Sequence, residues 1–106
     1  MVKKNLKEIK SVVRGYRNYL TENKIPVSRV LLFGSYVKGN SHRWSDIDVA
    51  VITKRFKKYR FDEDVVLNKM ALKIDDRIES HGIREKELIS PVDTFAKEVA
   101  KYGIEV

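Results

Sequence analysis

The chain has 106 residues, 42% of them hydrophobic and 35% charged, and contains no cysteine. That size allows one domain with one core, that mixture argues against both disorder and a membrane protein, and disulfides and thiolate metal sites are excluded. Twenty-two Lys and Arg against fifteen Asp and Glu give a formal net charge of +7, which favours a polyanionic partner such as nucleic acid, a nucleoside triphosphate or an acidic protein.

No apolar run approaches the roughly 18 residues that span a bilayer. The charged start MVKKNLKEIK lacks the apolar stretch of a secretory signal, so a cytoplasmic protein without membrane contact is expected. Leu6, Ile9, Val13, Tyr16 and Leu20 recur at steps of three and four, predicting an amphipathic helix over about residues 3–22 with Lys and Arg on its other face. Asn23 to Pro26 breaks that period. Arg29 to Phe33 (RVLLF) is a short apolar run stopped by Gly34, a pattern that predicts a strand buried on both faces. Gly34, Ser35, Gly39, Asn40 and Ser41 then punctuate a polar stretch expected to hold a turn and a short helix starting near Ser35. Ile47 to Ile52 (IDVAVI) predicts a second buried strand.

The basic segment Lys54 to Arg60 (KRFKKYR) carries Phe56 and Tyr59 and is followed by Phe61, a pattern shared by solvated loops and nucleic-acid patches. Val65, Val66, Met70 and Ile74 mark another helix with Asp62 as its cap. Ile78 to Ile83 is expected to be a third strand. Ser90-Pro91-Val92-Asp93 reads as a helix start with Ser90 at the cap; Val92, Phe95, Ala96 and Val99 form its stripe and Gly103 its stop. The expected order is α-β-α-β-α-β-α, an α/β (α+β) arrangement forming a single domain over residues 1–106.

Phe33 to Ile52 carries the chemistry. Asp46 and Asp48 are one residue apart at the start of an apolar strand, so the period of two puts both carboxylates on one face, with Cα atoms roughly 7 Å apart. Ile47, Val49 and Val51 point the other way. Two carboxylates at a buried strand repel each other and are costly to desolvate, so they call for a compensating cation. Hard oxygen ligands suit Mg²⁺ or Mn²⁺, completed by substrate phosphates. Gly34-Ser35 sits where a strand ends and a helix begins, where backbone N–H groups can receive phosphate oxygens. The Ser35 hydroxyl can donate a further hydrogen bond, and Lys38, Arg43 or Ser45 can add charge or donors. A phosphate cradle beside a carboxylate pair describes metal-assisted phosphoryl or nucleotidyl transfer.

Gly34-Ser35, ten intervening residues, then Asp46-Ile47-Asp48, resembles the signature of the DNA polymerase beta-type nucleotidyltransferase superfamily, and the short chain is similar to its minimal nucleotidyltransferase branch. The resemblance is strongest over residues 29–52. It implies a small mixed sheet flanked by helices, a nucleoside triphosphate held at Gly34 and Ser35, and two Mg²⁺ ions held by Asp46, Asp48 and a third acid on a later strand. Glu79, following Ile78 in the third strand, is the favoured third acid, with Asp76 the alternative and Asp75 at the end of the preceding helix. On this reading Asp46, Asp48 and Glu79 are both catalytic residues and metal ligands, while Gly34, Ser35, Arg43 and Ser45 bind the nucleotide.

The expected activity is Mg²⁺-dependent transfer of a nucleoside monophosphate, AMP from ATP, to an acceptor hydroxyl. Larger members of the superfamily carry an additional helical domain that shapes the acceptor site, so a partner is expected here. The resemblance implies a small helical HEPN-domain protein, as in toxin–antitoxin pairs whose nucleotidyltransferase adenylylates the toxic ribonuclease. The alternative is a non-catalytic module that binds nucleotide or nucleic acid, with RNA or DNA contact through its basic surface, and acts by contact with a partner. His42 and His81 lack the i, i+4 partners of zinc ligands, though His81 shares strand parity with Glu79 and can face the same pocket. Trp44 is a candidate for stacking on a base.

Overall fold

Residues 30–33 and all but Asp48 of residues 47–53 are buried, and these two runs form the centre of a four-stranded sheet. The structure is a computed structural model that describes residues 2–39 and 45–106. Its elements follow in the order α1 (Val2–Glu22), β1 (Val27–Phe33), α2 (Ser35–Lys38), β2 (Ile47–Thr53), α3 (Arg60–Leu72), β3 (Ile78–Ile83), α4 (Glu85–Ile89), α5 (Thr94–Tyr102) and β4 (Ile104–Glu105). The strand order is β3-β2-β1-β4. β1 pairs antiparallel with β2 and β4, whereas β2 and β3 run parallel. A parallel pair needs a crossover, and α3 supplies it.

The period of two along β2 divides the core. Ile47, Val49 and Val51 pack with Ile9, Val13, Tyr16 and Leu20 of α1 and with Leu67 and Ala71 of α3. Ala50 and Ile52 face the other way, meeting Leu31, Phe33, Ile83, Leu88 of α4 and Val99 of α5. A mixed sheet with helices on both faces therefore matches the expected architecture.

α4 and β4 extend the expected order. β4 is only two residues long and is defined by its pairing with Leu31 and Leu32 of β1. The buried stripe of α3 is Glu63, Leu67 and Ala71, not Val65, Val66, Met70 and Ile74. Asp62 lies in the first turn of α3 without capping it; the cap position is Tyr59, in extended backbone. Ser90 closes α4, and Asp93 caps α5 by accepting from the Ala96 N–H at 2.7 Å. Val92 precedes that cap and is 87% exposed, so it falls outside the stripe.

β3 is an edge strand, and α3 covers its open backbone. Asn68 donates to the Ser80 carbonyl at 2.8 Å and accepts from the Ser80 N–H at 2.9 Å, while Asp64 accepts from the Gly82 N–H at 2.9 Å. The buried Tyr16 hydroxyl donates to the Leu67 carbonyl at 2.9 Å and lies 2.8 Å from Ser80 Oγ. Burial pushes that phenol well above its ordinary pKa, so it stays neutral and ties α1, α3 and β3 together. These bonds hold Ser80 inward, and the strand alternation turns its neighbours Glu79 and His81 to the opposite face.

Candidate active site

Register alone brings the first two acids together. Asp48 is the β2 partner of Glu79 on β3 and of Phe33 on β1, so two carboxylates stand side by side at the point where β1 gives way to Gly34. Asp46 precedes β2 and is exposed. Asp48 is half-buried and Glu79 exposed. His81, two residues beyond Glu79, shares its face: Nε2 lies 3.2 Å from Glu79 Oε1. One ligand atom from each of Asp48, Glu79 and His81 fits within a 4.8 Å cluster.

Burial, the carboxylate of Glu79, and the more distant Asp46 and Glu98 push the Asp48 carboxyl up to about 6, with His81 partly opposing them. Among the described residues, this cluster gathers more negative than positive charge. A divalent cation would relieve that excess, and the donor set of carboxylate oxygens suits Mg²⁺ or Mn²⁺.

Gly34 forms the floor. Its φ of 81° and ψ of −150° lie in a region reserved for glycine, and a Cβ there would overlap Asp48 Oδ2 and fall 3.0 Å from Asp48 Cγ. The Gly34 carbonyl accepts from the Val37 N–H at 3.1 Å and the Lys38 N–H at 3.0 Å, turning the chain directly beside the carboxylates. α2 is a single turn of four residues, so its dipole is smaller than the expected helix would supply. Ser35, half-buried, follows Gly34 at this turn.

Of the other predicted residues, Ser45 lies immediately before Asp46, and Arg43, with His42 and Trp44, falls outside the described residues. Lys38 turns to Glu98 of α5 at 3.2 Å and over the Tyr102 ring at 5.5 Å. Asp76 sits in the turn before β3, and Asp75 binds Arg77 at 2.8 Å; only Glu79 of the three acids reaches the register position beside Asp48. His81 gains clustered carboxylate partners that the local sequence pattern does not show. Its ring is flanked by Phe33 at 5.9 Å and Phe95 at 5.0 Å between centroids. Glu98 had no signal in sequence, because it reaches Asp48's surroundings only through the packing of α5.

Residues 13–104 match the nucleotidyltransferase domain family. The chain belongs to that family. It is a nucleotidyltransferase. A candidate protein adenylyltransferase of Methanocaldococcus jannaschii is 29% identical over 93% of this chain and 99% of its own length. A second from the same organism is 36% identical over 68% of this chain and 86% of its own length. Among solved structures, a toxin–antitoxin complex with AMP-PNP is 27% identical, with a TM-score of 0.60 over 83% of this chain and 66% of that one. A candidate nucleotidyltransferase from Sulfolobus solfataricus shares the fold at 17% identity, with a TM-score of 0.71 over 98% of this chain and 84% of its own. Among the described residues, no helix is long and apolar enough to cross a membrane.

Proposed function

We propose that residues 1–106 act as one nucleotidyltransferase domain that transfers AMP from ATP to a hydroxyl on a partner protein. The observation that carries this reading is the meeting of Asp48 and Glu79 across one register step, beside a glycine that only a hydrogen keeps clear of Asp48. Its support in relatives is the protein adenylyltransferase description of the Methanocaldococcus homologues and the AMP-PNP of the toxin–antitoxin neighbour.

In this reading Asp46, Asp48 and Glu79 hold two Mg²⁺ ions, which when bound supply positive charge to the triphosphate oxygens. Backbone N–H groups at Gly34 and Ser35, with the Ser35 hydroxyl, receive the β- and γ-phosphates, and Ser45 and Arg43 contribute further donors. Glu79 draws the proton from the acceptor hydroxyl. The acceptor oxygen bonds to the α-phosphorus as the bond to the bridging oxygen breaks, and pyrophosphate leaves. The acceptor is a toxin partner, for which the toxin–antitoxin neighbour is the support, and the superfamily resemblance makes that partner a small helical HEPN-domain protein.

Incubating the chain with that partner, ATP and Mg²⁺ tests the proposal by mass spectrometry and pyrophosphate release. One AMP is expected on the partner, and none with Asp48→Asn. An unmodified partner and no pyrophosphate from the native chain would refute it.

A nucleic-acid contact has its own observation. Lys57, Lys58, Tyr59 and Phe61 are exposed together after β2, with Phe61 75% exposed. Phosphate contacts there would give RNA or DNA affinity a steep decline with salt.

A further inference from the structure

His81 is not needed by the reading above, yet it occupies the same pocket as the acids. It lies on the Glu79 face of β3, and its register partner on β2, Ala50, offers only a methyl group. Phe33 and Phe95 flank the ring with tilts of 58° and 51°, leaving its Nε2 beside Glu79 Oε1. As an ion pair this contact would contribute little, since the two side chains are 35% and 53% exposed. That ion pair therefore does not explain why the imidazole is held against two carboxylates.

We infer that His81 is a nitrogen ligand of the catalytic metal site, which with Asp48 and Glu79 takes a first-row transition dication in preference to Mg²⁺. The chemistry follows from the donors. Imidazole adds affinity for transition ions in the order that rises from Mn²⁺ towards Cu²⁺, whereas Mg²⁺ prefers oxygen and gives up its waters reluctantly. An all-carboxylate site has that bias more weakly. The cluster can close on such an ion because one donor atom from each of the three side chains lies within 4.8 Å of the others, so that small side-chain movements bring all three to bonding distance. This inference rests on the metal-dependent reading of the same site and changes its ion at Asp48, Glu79 and His81 from Mg²⁺ to a transition dication.

Pulsed electron paramagnetic resonance on the full chain loaded with Mn²⁺ alone, without nucleotide, tests it apart from activity. Bound Mn²⁺ is expected to show nitrogen modulation from a coordinated imidazole. The modulation should vanish in His81→Phe, which keeps an aromatic ring between Phe33 and Phe95, and in His81→Gln. It should persist in His42→Asn, which alters the other of the chain's two histidines. Both His81 variants should also lower the preference for Mn²⁺ over Mg²⁺ by about tenfold or more in competition titrations. Bound Mn²⁺ without nitrogen modulation, or modulation lost with His42 rather than His81, would overturn the inference and leave the carboxylate site standing. Failure to bind Mn²⁺ or Mg²⁺ at all would overturn the metal-dependent reading together with it.

Discussion

Gly34 and Asp48 are in contact through the one place where Gly34 has no side chain: a methyl group there would overlap Asp48 Oδ2. The same residue holds a φ of 81°, so the turn and the carboxylate impose one requirement from two directions.

Gly34→Ala should therefore lose both stability and function. The backbone conformation alone costs a non-glycine residue about 1–3 kcal/mol, and the displaced carboxylate adds to this. Urea unfolding is expected to show a loss at the upper end of that range, and metal binding should fail even where the variant remains folded. Native-like stability with intact metal binding would contradict this account of the turn.

Asp48→Asn should separate function from folding. In the metal-free chain the Asp48 carboxylate is disfavoured by burial and by Glu79, Asp46 and Glu98. An amide of the same shape removes that repulsion, so the variant's Tm without metal should equal or exceed the native value, while transfer falls by more than about a hundredfold. A large drop in Tm would mean the carboxylate has a structural role that its surroundings do not reveal.

The raised Asp48 pKa also sets a sign for pH. Between the ordinary carboxylate range and about 6 the native state holds a proton that the unfolded chain has released. Its contribution to metal-free stability is thus full below the unfolded pKa and is lost as pH rises through about 6. Metal binding runs the other way, because the proton competes with the ion: affinity should fall about tenfold per unit once pH drops below about 6. Thermal unfolding from pH 4 to 8, with and without Mn²⁺, reads both trends: the two curves should coincide at low pH and part as pH rises through about 6.

What the sequence disclosed depended on distance. Both central strands, and the place of Asp48 on the second of them, were legible because apolar runs and strand parity are local; Asp46 stands before that strand. Glu79 is preferred over Asp76 because it follows Ile78 inside the third apolar run, but its place beside Asp48 comes from the register of β3 against β2, a pairing that no local pattern specifies. α3 was misread for a sharper reason. Its buried stripe begins with Glu63, which any hydropathy period counts as polar, and whose burial is compensated by Arg84 from the far end of β3 and by the Phe56 and Lys57 N–H groups. β4, at two residues, has no identity apart from its pairing with β1. Glu98 joins the site only through the docking of α5, where Lys38 meets it.

The Glu63 pairing yields the last prediction. Its side chain is fully enclosed, accepts from the Phe56 N–H at 2.7 Å and the Lys57 N–H at 3.2 Å, and lies 2.7 Å from Arg84 Nη2. Arg84 also donates to Thr53 Oγ1 at 3.0 Å, closing the end of the sheet opposite the acids. Despite burial, these hydrogen bonds and the guanidinium hold the Glu63 carboxyl below its ordinary pKa. Arg84→Ala would strand a buried carboxylate and should cost about 3–5 kcal/mol in urea unfolding. The double variant Arg84→Met with Glu63→Gln should recover much of that loss, since no charge is then left unpaired in the interior. The native chain's Glu63 contribution is present above the unfolded pKa and is lost on acidification, so the stability gap between native and double variant should narrow as pH falls. Equal losses in the single and double variants would mean that the contacts with Phe56 and Lys57, not the ion pair, hold this end of the fold.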